Sequence, residues 1–246
     1  MRPFLGDLPS RAHGVPSAPP AASVGLGKRL LAEGLGTGLL LAAVVGSGIM
    51  GERLSGGIVG LALLANSLAT GAALVALILA LGPVSGAHFN PVVTLCLAWR
   101  RETAWKDVPS YLAVQTLGAL LGVFAAHYIF EVPVFETSSR ARSGGPQWAS
   151  EVLATFGLVS VILGCAKARP QAVAYAVGSY ITAAYWFTSS TSFANPAVTL
   201  ARAFTNTFSG IRPIDVGAFV TAQLVGAAAA TGLFAWLQPA RPEELP

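Results

Sequence analysis

Two short boxes constrain this chain more than anything else in it. Residues 87–95 read AHFNPVVTL and residues 192–200 read SFANPAVTL, which sets the two Asn-Pro pairs 105 positions apart. Proline suits the first turn of a helix, where its missing N–H is no loss, and asparagine is a strong N-cap. Asn90 with Pro91 and Asn195 with Pro196 therefore predict the starts of two short helices, each embedded in membrane-like sequence. A helix that begins in the middle of a bilayer is preceded by irregular backbone. Such backbone is tolerated at that depth only where protein or a water-filled path satisfies it. The pattern predicts a pore.

The surrounding composition agrees. Charged residues make up 11% of the 246 residues against about 25% in soluble domains, hydrophobic ones 54%, and the mean hydropathy is +0.64. Residues 30–50 carry a single charge, Glu33. As a helix they would span about 31 Å, enough for a hydrocarbon core of about 30 Å. Similar runs at 57–81, 111–130, 149–166, 172–187 and 216–237 predict six crossings, an all-α membrane protein in one domain covering residues 28–240. The net charge of +4 is spread over the loops, so it reads as a topology signal and not as a nucleic-acid footprint. Ten basic residues fall on the side of the N-terminus and five on the other, which predicts both termini in the cytoplasm. Residues 1–27 hold five prolines and little periodicity, predicting a disordered tail that sets the first apolar run away from the start, with no cleavable signal peptide. Cys96 and Cys165 are isolated, lack metal-ligand spacing and read as small apolar core residues.

The chain repeats itself. AEGLGT at 32–37 answers SEVLAT at 150–155, matching Glu33 with Glu151 and Thr37 with Thr155. Asp107 and Gln115, followed by Gly118-Ala119, answer Asp215 and Gln223, followed by Gly226-Ala227, with eight residues from Asp to Gln in both. Each half, about 28–130 and about 147–238, thus reads helix, helix, half-helix, helix. Three full crossings per half invert the second copy relative to the first, and the site falls at the midplane between repeats. A carboxylate inside a membrane is costly and faces the protein interior. Glu33 and Glu151 are therefore assigned to accept hydrogen bonds from the re-entrant loop of their own half. Gly34, Gly36 and Gly38 lie within a span with no preceding strand, so they serve helix packing and not nucleotide binding.

Two half-helices meeting N-terminus to N-terminus bring about +0.5 charge each to the centre. Asn90 and Asn195 offer N–H donors there. A neutral hydroxylated solute accepts those bonds, while a cation meets positive potential and loses its hydration. A central water turns its oxygen toward both amides, which interrupts proton hopping.

These residues resemble the aquaporin, or major intrinsic protein, family over roughly residues 30–237: both Asn-Pro boxes, both Glu-x-x-x-Thr signatures and SGAHFNP at 85–91. The resemblance implies a right-handed six-helix bundle with two re-entrant half-helices, a pore in each protomer and a homotetramer. It also implies a conduit lined by carbonyls at Ala87, His88 and Phe89 and at Thr191, Ser192 and Phe193, with no cofactor and no metal.

The sequence departs from the family at two places. Val198 stands where the family usually has arginine after the second Asn-Pro-Ala197, and Val92 stands where alanine is commoner in the first box. An ungapped alignment puts the other filter positions at Thr70, Ala183 and Ser192. That set is small and uncharged, so a wider and more apolar opening is expected than in a strict water channel. Arg202, one helical turn beyond Val198, is a candidate for the outer mouth. An arginine-free filter resembles that of the bacterial aquaglyceroporins associated with arsenic-resistance operons. That implies neutral trivalent arsenite, As(OH)3, with glycerol and water, in a bacterial inner membrane. The alternatives are a strict water channel and, from a different class, an ion-coupled secondary transporter, for which Glu33 and Glu151 are the only candidate ion sites. A membrane enzyme is disfavoured by the absence of Gly-x-Ser-x-Gly, HExxH or paired catalytic acids, with His13, His88 and His127 scattered.

Overall fold

The computed structural model describes residues 24–238, and every regular element among them is helical. Six long helices are α1 (Leu26–Leu54), α2 (Val59–Ser85), α4 (Val108–Ile129), α5 (Gly145–Ala168), α6 (Val173–Phe187) and α8 (Pro213–Leu237). Two short ones, α3 (Pro91–Trp99) and α7 (Pro196–Ala201), follow the two asparagines. Most of the predicted tail, residues 1–23, lies outside the described residues, and α1 begins at Leu26, inside the segment assigned to it.

Five of the long helices are long and apolar enough to cross a membrane. The sixth, α6, has 15 residues, about 22 Å as helix, and a 3-10 turn at Pro170–Ala172 precedes it. Its buried residues, Ala174, Val177, Gly178, Ile181, Ala184 and Tyr185, recur every three or four positions and mark one inward stripe.

The two halves pack alike. α1 lies on α4 and α2, as α5 lies on α8 and α6, and α2 against α6 joins the halves. Each half-helix also touches the last helix of the other half, α3 on α8 and α7 on α4, and α3 meets α7. Small residues permit the close crossings. A Cβ on Gly118 would collide with the Gly34 carbonyl, and one on Gly122 with the Gly38 carbonyl. Gly226 meets Val152 in the same way between α8 and α5. Gly34 and Gly38, noted in the sequence, thus set how near α1 and α4 approach.

The matched aspartates tie the end of each half. Asp107, just before α4, takes Arg29 of α1 in an ion pair of 2.7 Å. Asp215, in the first turn of α8, accepts the Arg142 backbone N–H, just before α5, at 2.8 Å and pairs with Arg212 at 3.0 Å. Cys96 is buried beside the Ala227 carbonyl, while Cys165 is only half-buried near the end of α5.

These crossings predict a sharp contrast between glycines. Gly118→Ala and Gly122→Ala should each lower stability by about 1–3 kcal/mol through overpacking against backbone. Gly232→Ala, which meets nothing within 4 Å, should be neutral. Thermal unfolding of the detergent-solubilised variants measures the difference; equal midpoints would contradict the packing.

Candidate functional site: a central cavity between two re-entrant loops

Each short helix starts as its sequence dictates. Asn90 and Asn195 hold extended backbone, with proline at the first helical position. The Asn90 Oδ1 accepts the Val92 N–H at 3.1 Å; the Asn195 Oδ1 accepts the Ala197 N–H at 3.0 Å and the Val198 N–H at 3.3 Å. The amide nitrogens reach across the midline. Asn90 Nδ2 donates to the Ala194 carbonyl and Asn195 Nδ2 to the Phe89 carbonyl, both at 2.8 Å. A primary carboxamide has two N–H donors, so each asparagine keeps one for the cavity it lines.

The loops leading into these caps are irregular in the same way. Gly86, Ala87 and Phe89 have positive φ, and so do Thr191, Ser192 and Ala194, the positions 105 residues on. Non-glycine residues enter this region only where surroundings enforce it. The enforcement comes from the two glutamates, both fully buried. Glu33 Oε1 accepts Ser85 Oγ at 2.7 Å and the His88 N–H at 2.9 Å, and its Oε2 accepts the Phe89 N–H and Gln115 Nε2, both at 2.8 Å. Glu151 accepts the N–H groups of Phe193 and Ala194 at 2.9 Å and Gln223 Nε2 at 2.6 Å. Each glutamine also bonds the threonine of its half-helix, Gln115 to Thr94 at 3.0 Å and Gln223 to Thr199 at 2.8 Å. Thr94 and Thr199 in turn donate to the Asn90 and Asn195 carbonyls. The threonines of the Glu-x-x-x-Thr signatures do not reach the loops: Thr37 donates to its own helix carbonyl at Glu33, and the Thr155 hydroxyl is buried without a partner. The Phe89 ring fills a notch at Gly36 that a Cβ would close.

A cavity of about 110 Å³ runs past both asparagines. Roughly 10–15 Å³ of such space holds one water, so the cavity takes a file of several waters or one small organic solute. Gly86, Ala87, His88 and Phe89 line it from one loop, and Ser192, Phe193 and Ala194 from the other. Thr191 is not part of this lining; its side chain and the Ser190 carbonyl face Arg142. The carbonyls of Phe89 and Ala194 are taken up by the crossed amides. His88 is fixed by Nδ1 to Thr94 Oγ1 at 3.0 Å and lies over Tyr111.

Of the four filter positions assigned by ungapped alignment, Thr70, Ser192 and Val198 line the cavity and Ala183 does not. Ala183 is exposed on the outer side of α6. The helical register explains the correction: Ile181 and Tyr185 lie on the buried stripe, Ala183 opposite it, and those two face the cavity. The Tyr185 hydroxyl shares a 3.2 Å hydrogen bond with Thr70 Oγ1. Periodicity of α6 taken by itself points to Tyr185. The Ser192 hydroxyl is buried and unpartnered. Arg202 lines the cavity although it is only 2% exposed, with Nε donating to the Ser209 carbonyl. Arg142, in the loop before α5, donates to the carbonyls of Gly210 and Ser190, and burial lowers its pKa to about 10, so it stays charged at neutral pH. No group of His, Cys, Asp and Glu among the described residues could hold a metal ion.

Two inverted half-helices joined through crossed asparagines around one cavity define a transmembrane channel. The Major intrinsic protein family model matches residues 21–173. The chain belongs to that family, whose members are membrane channels for water and small solutes. It is 55% identical over 218 residues to the aquaglyceroporin AqpS of Rhizobium meliloti (strain 1021), covering 88% of this chain and 93% of that one. It is 33% identical over 217 residues to the aquaporin NIP2-1 of Oryza sativa subsp. japonica, covering 84% and 70%. The fold matches the X-ray structure of the aquaglyceroporin from Plasmodium falciparum with a TM-score of 0.67 at 23% identity, over 87% of this chain and 95% of that one.

Glu151→Ala would leave two buried backbone N–H groups and one N–H of the Gln223 amide without acceptors, at about 1–3 kcal/mol each. We expect Glu33→Ala and Glu151→Ala to destabilise the protein alike, and each Glu→Gln variant to lose less. Detergent melting curves and solute flux check this. A fully stable, conducting Glu151→Ala protein would show that the loop is held by something else.

Proposed function

We propose that this chain is a passive aquaglyceroporin, conducting glycerol-sized neutral solutes, including As(OH)3, together with water. The observation that carries this reading is the cavity wall beyond Asn195, where Val198 replaces the arginine usual in the family beside the small residues Thr70 and Ser192. An apolar side chain there removes one polar crossbar and leaves width for a solute larger than water. The hydroxyls of Ser192, Thr70 and Tyr185 and the free N–H of each asparagine supply partners for a hydroxylated guest. As(OH)3 is uncharged at neutral pH and presents hydroxyls as a polyol does. The name of the Rhizobium meliloti relative, an aquaglyceroporin, supports the same reading.

Glu33 and Glu151 are consumed by the loops, which favours simple permeation over ion coupling. Asn90, Pro91, Val92, Asn195, Pro196 and Ala197 form the central barrier in this account, with Thr70, Tyr185, Ser192 and Val198 forming the filter. We extend the reading to a homotetramer in a bacterial plasma membrane, with one channel domain made of two repeats and both termini cytoplasmic, as family resemblance and the loop charges imply.

Stopped-flow swelling of reconstituted vesicles under water, glycerol and arsenite gradients tests the proposal. Val198→Arg should cut glycerol and arsenite flux by about tenfold or more while keeping water flux, because a guanidinium narrows the path and adds a polar barrier. Equal glycerol and arsenite flux in both proteins would reject the wide filter. Uptake that stops when proton and sodium gradients are collapsed would reject passive permeation.

A further inference from the structure

Glu151 is fully buried behind the loop that lines the cavity beyond Asn195, with its carboxylate on the Phe193 and Ala194 N–H groups. A carboxylate so placed would draw cations into a channel built for neutral solutes. The family's usual counter-charge is missing at Val198. Arg202, one turn along the same segment, brings a guanidinium to the cavity wall. No carboxylate forms an ion pair with it among the described residues; Nε holds the Ser209 carbonyl, and the guanidinium carbon lies 3.4 Å from the centre of the Phe193 ring. The face of an aromatic ring attracts a cation within about 6 Å, so Phe193 fixes this charge without neutralising it. Arg142 covers the same ring, at 4.8 Å. The ring itself is braced edge-on by Phe219 at 5.3 Å.

We infer that Arg202, seated on Phe193, is the residue that excludes cations from this pore, taking over a charge that the position after Asn-Pro-Ala does not supply. The inference rests on the channel reading above and adds its charge selectivity. The filter separates two tasks: Val198 gives width beside the loop, and a guanidinium one turn farther on gives the positive potential. The geometry favours this division, because two guanidinium groups, those of Arg202 and Arg142, cover the Phe193 ring at this end.

The experiment compares vesicles holding wild-type protein, Arg202→Gln, Arg202→Met and Arg202→Lys, with glycerol swelling and sodium and potassium leak measured on the same preparations. Wild-type vesicles should pass glycerol and hold back both cations. Loss of the charge in Arg202→Gln should raise the ratio of cation leak to glycerol flux by about tenfold or more, and Arg202→Lys should keep it low. Arg202→Met needs no buried partner and reads the same quantity if the glutamine variant does not fold. A glycerol-conducting Gln or Met variant as cation-tight as wild type overturns the inference. Wild-type vesicles impermeable to glycerol would instead overturn the channel reading on which it rests.

Discussion

The structure depends on how backbone N–H groups are satisfied at the centre of a membrane. Water is scarce there, and each orphan group costs several kcal/mol. Two buried carboxylates carry that burden, Glu33 for the loop before α3 and Glu151 for the loop before α7. Each carboxylate is itself oriented by the donors it collects, including a glutamine from the last helix of its half. The outcome is a loop that remains irregular at membrane depth without exposing unsatisfied backbone to lipid.

With the loops held, the asparagines can act as both cap and crossbar. One end of each carboxamide closes its own helix, and the other binds a carbonyl of the opposite loop. The two halves thereby fix each other's position to within a hydrogen bond. The glycine contacts between α1 and α4, and between α5 and α8, serve the same end from outside, because they hold the glutamine-bearing helix of each half against the helix that carries its glutamate.

Beyond this symmetric centre the two ends differ, and the difference concerns what passes. His88 and Phe193 occupy matched positions, 105 residues apart. The histidine is tied to Thr94 and packs at a tilt against Tyr111, whereas the phenylalanine lies under Arg202 and Arg142. Positive charge is thus concentrated at one end of an otherwise neutral path, around the side chains that set its width.

By itself the sequence determined the class of fold. The Asn-Pro boxes, the paired glutamates and glutamines and the apolar spans specify inverted halves with two re-entrant helices, because few other arrangements satisfy polar backbone in lipid. Capping by Asn90 and Asn195 was equally readable, since it is a local property of four residues. Which side chains of α6 and of the segment after α7 meet the cavity was decided only by tertiary structure. An alignment through the boxes lands on Ala183 and passes over Tyr185, because it carries no register across the irregular segment between α6 and Asn195. The burial of Arg202 on Phe193 depends on loops from distant parts of the chain, which bring Ser209 and Arg142 to one ring. Local pattern sets the helix starts; long-range packing chooses the side chains that meet a solute.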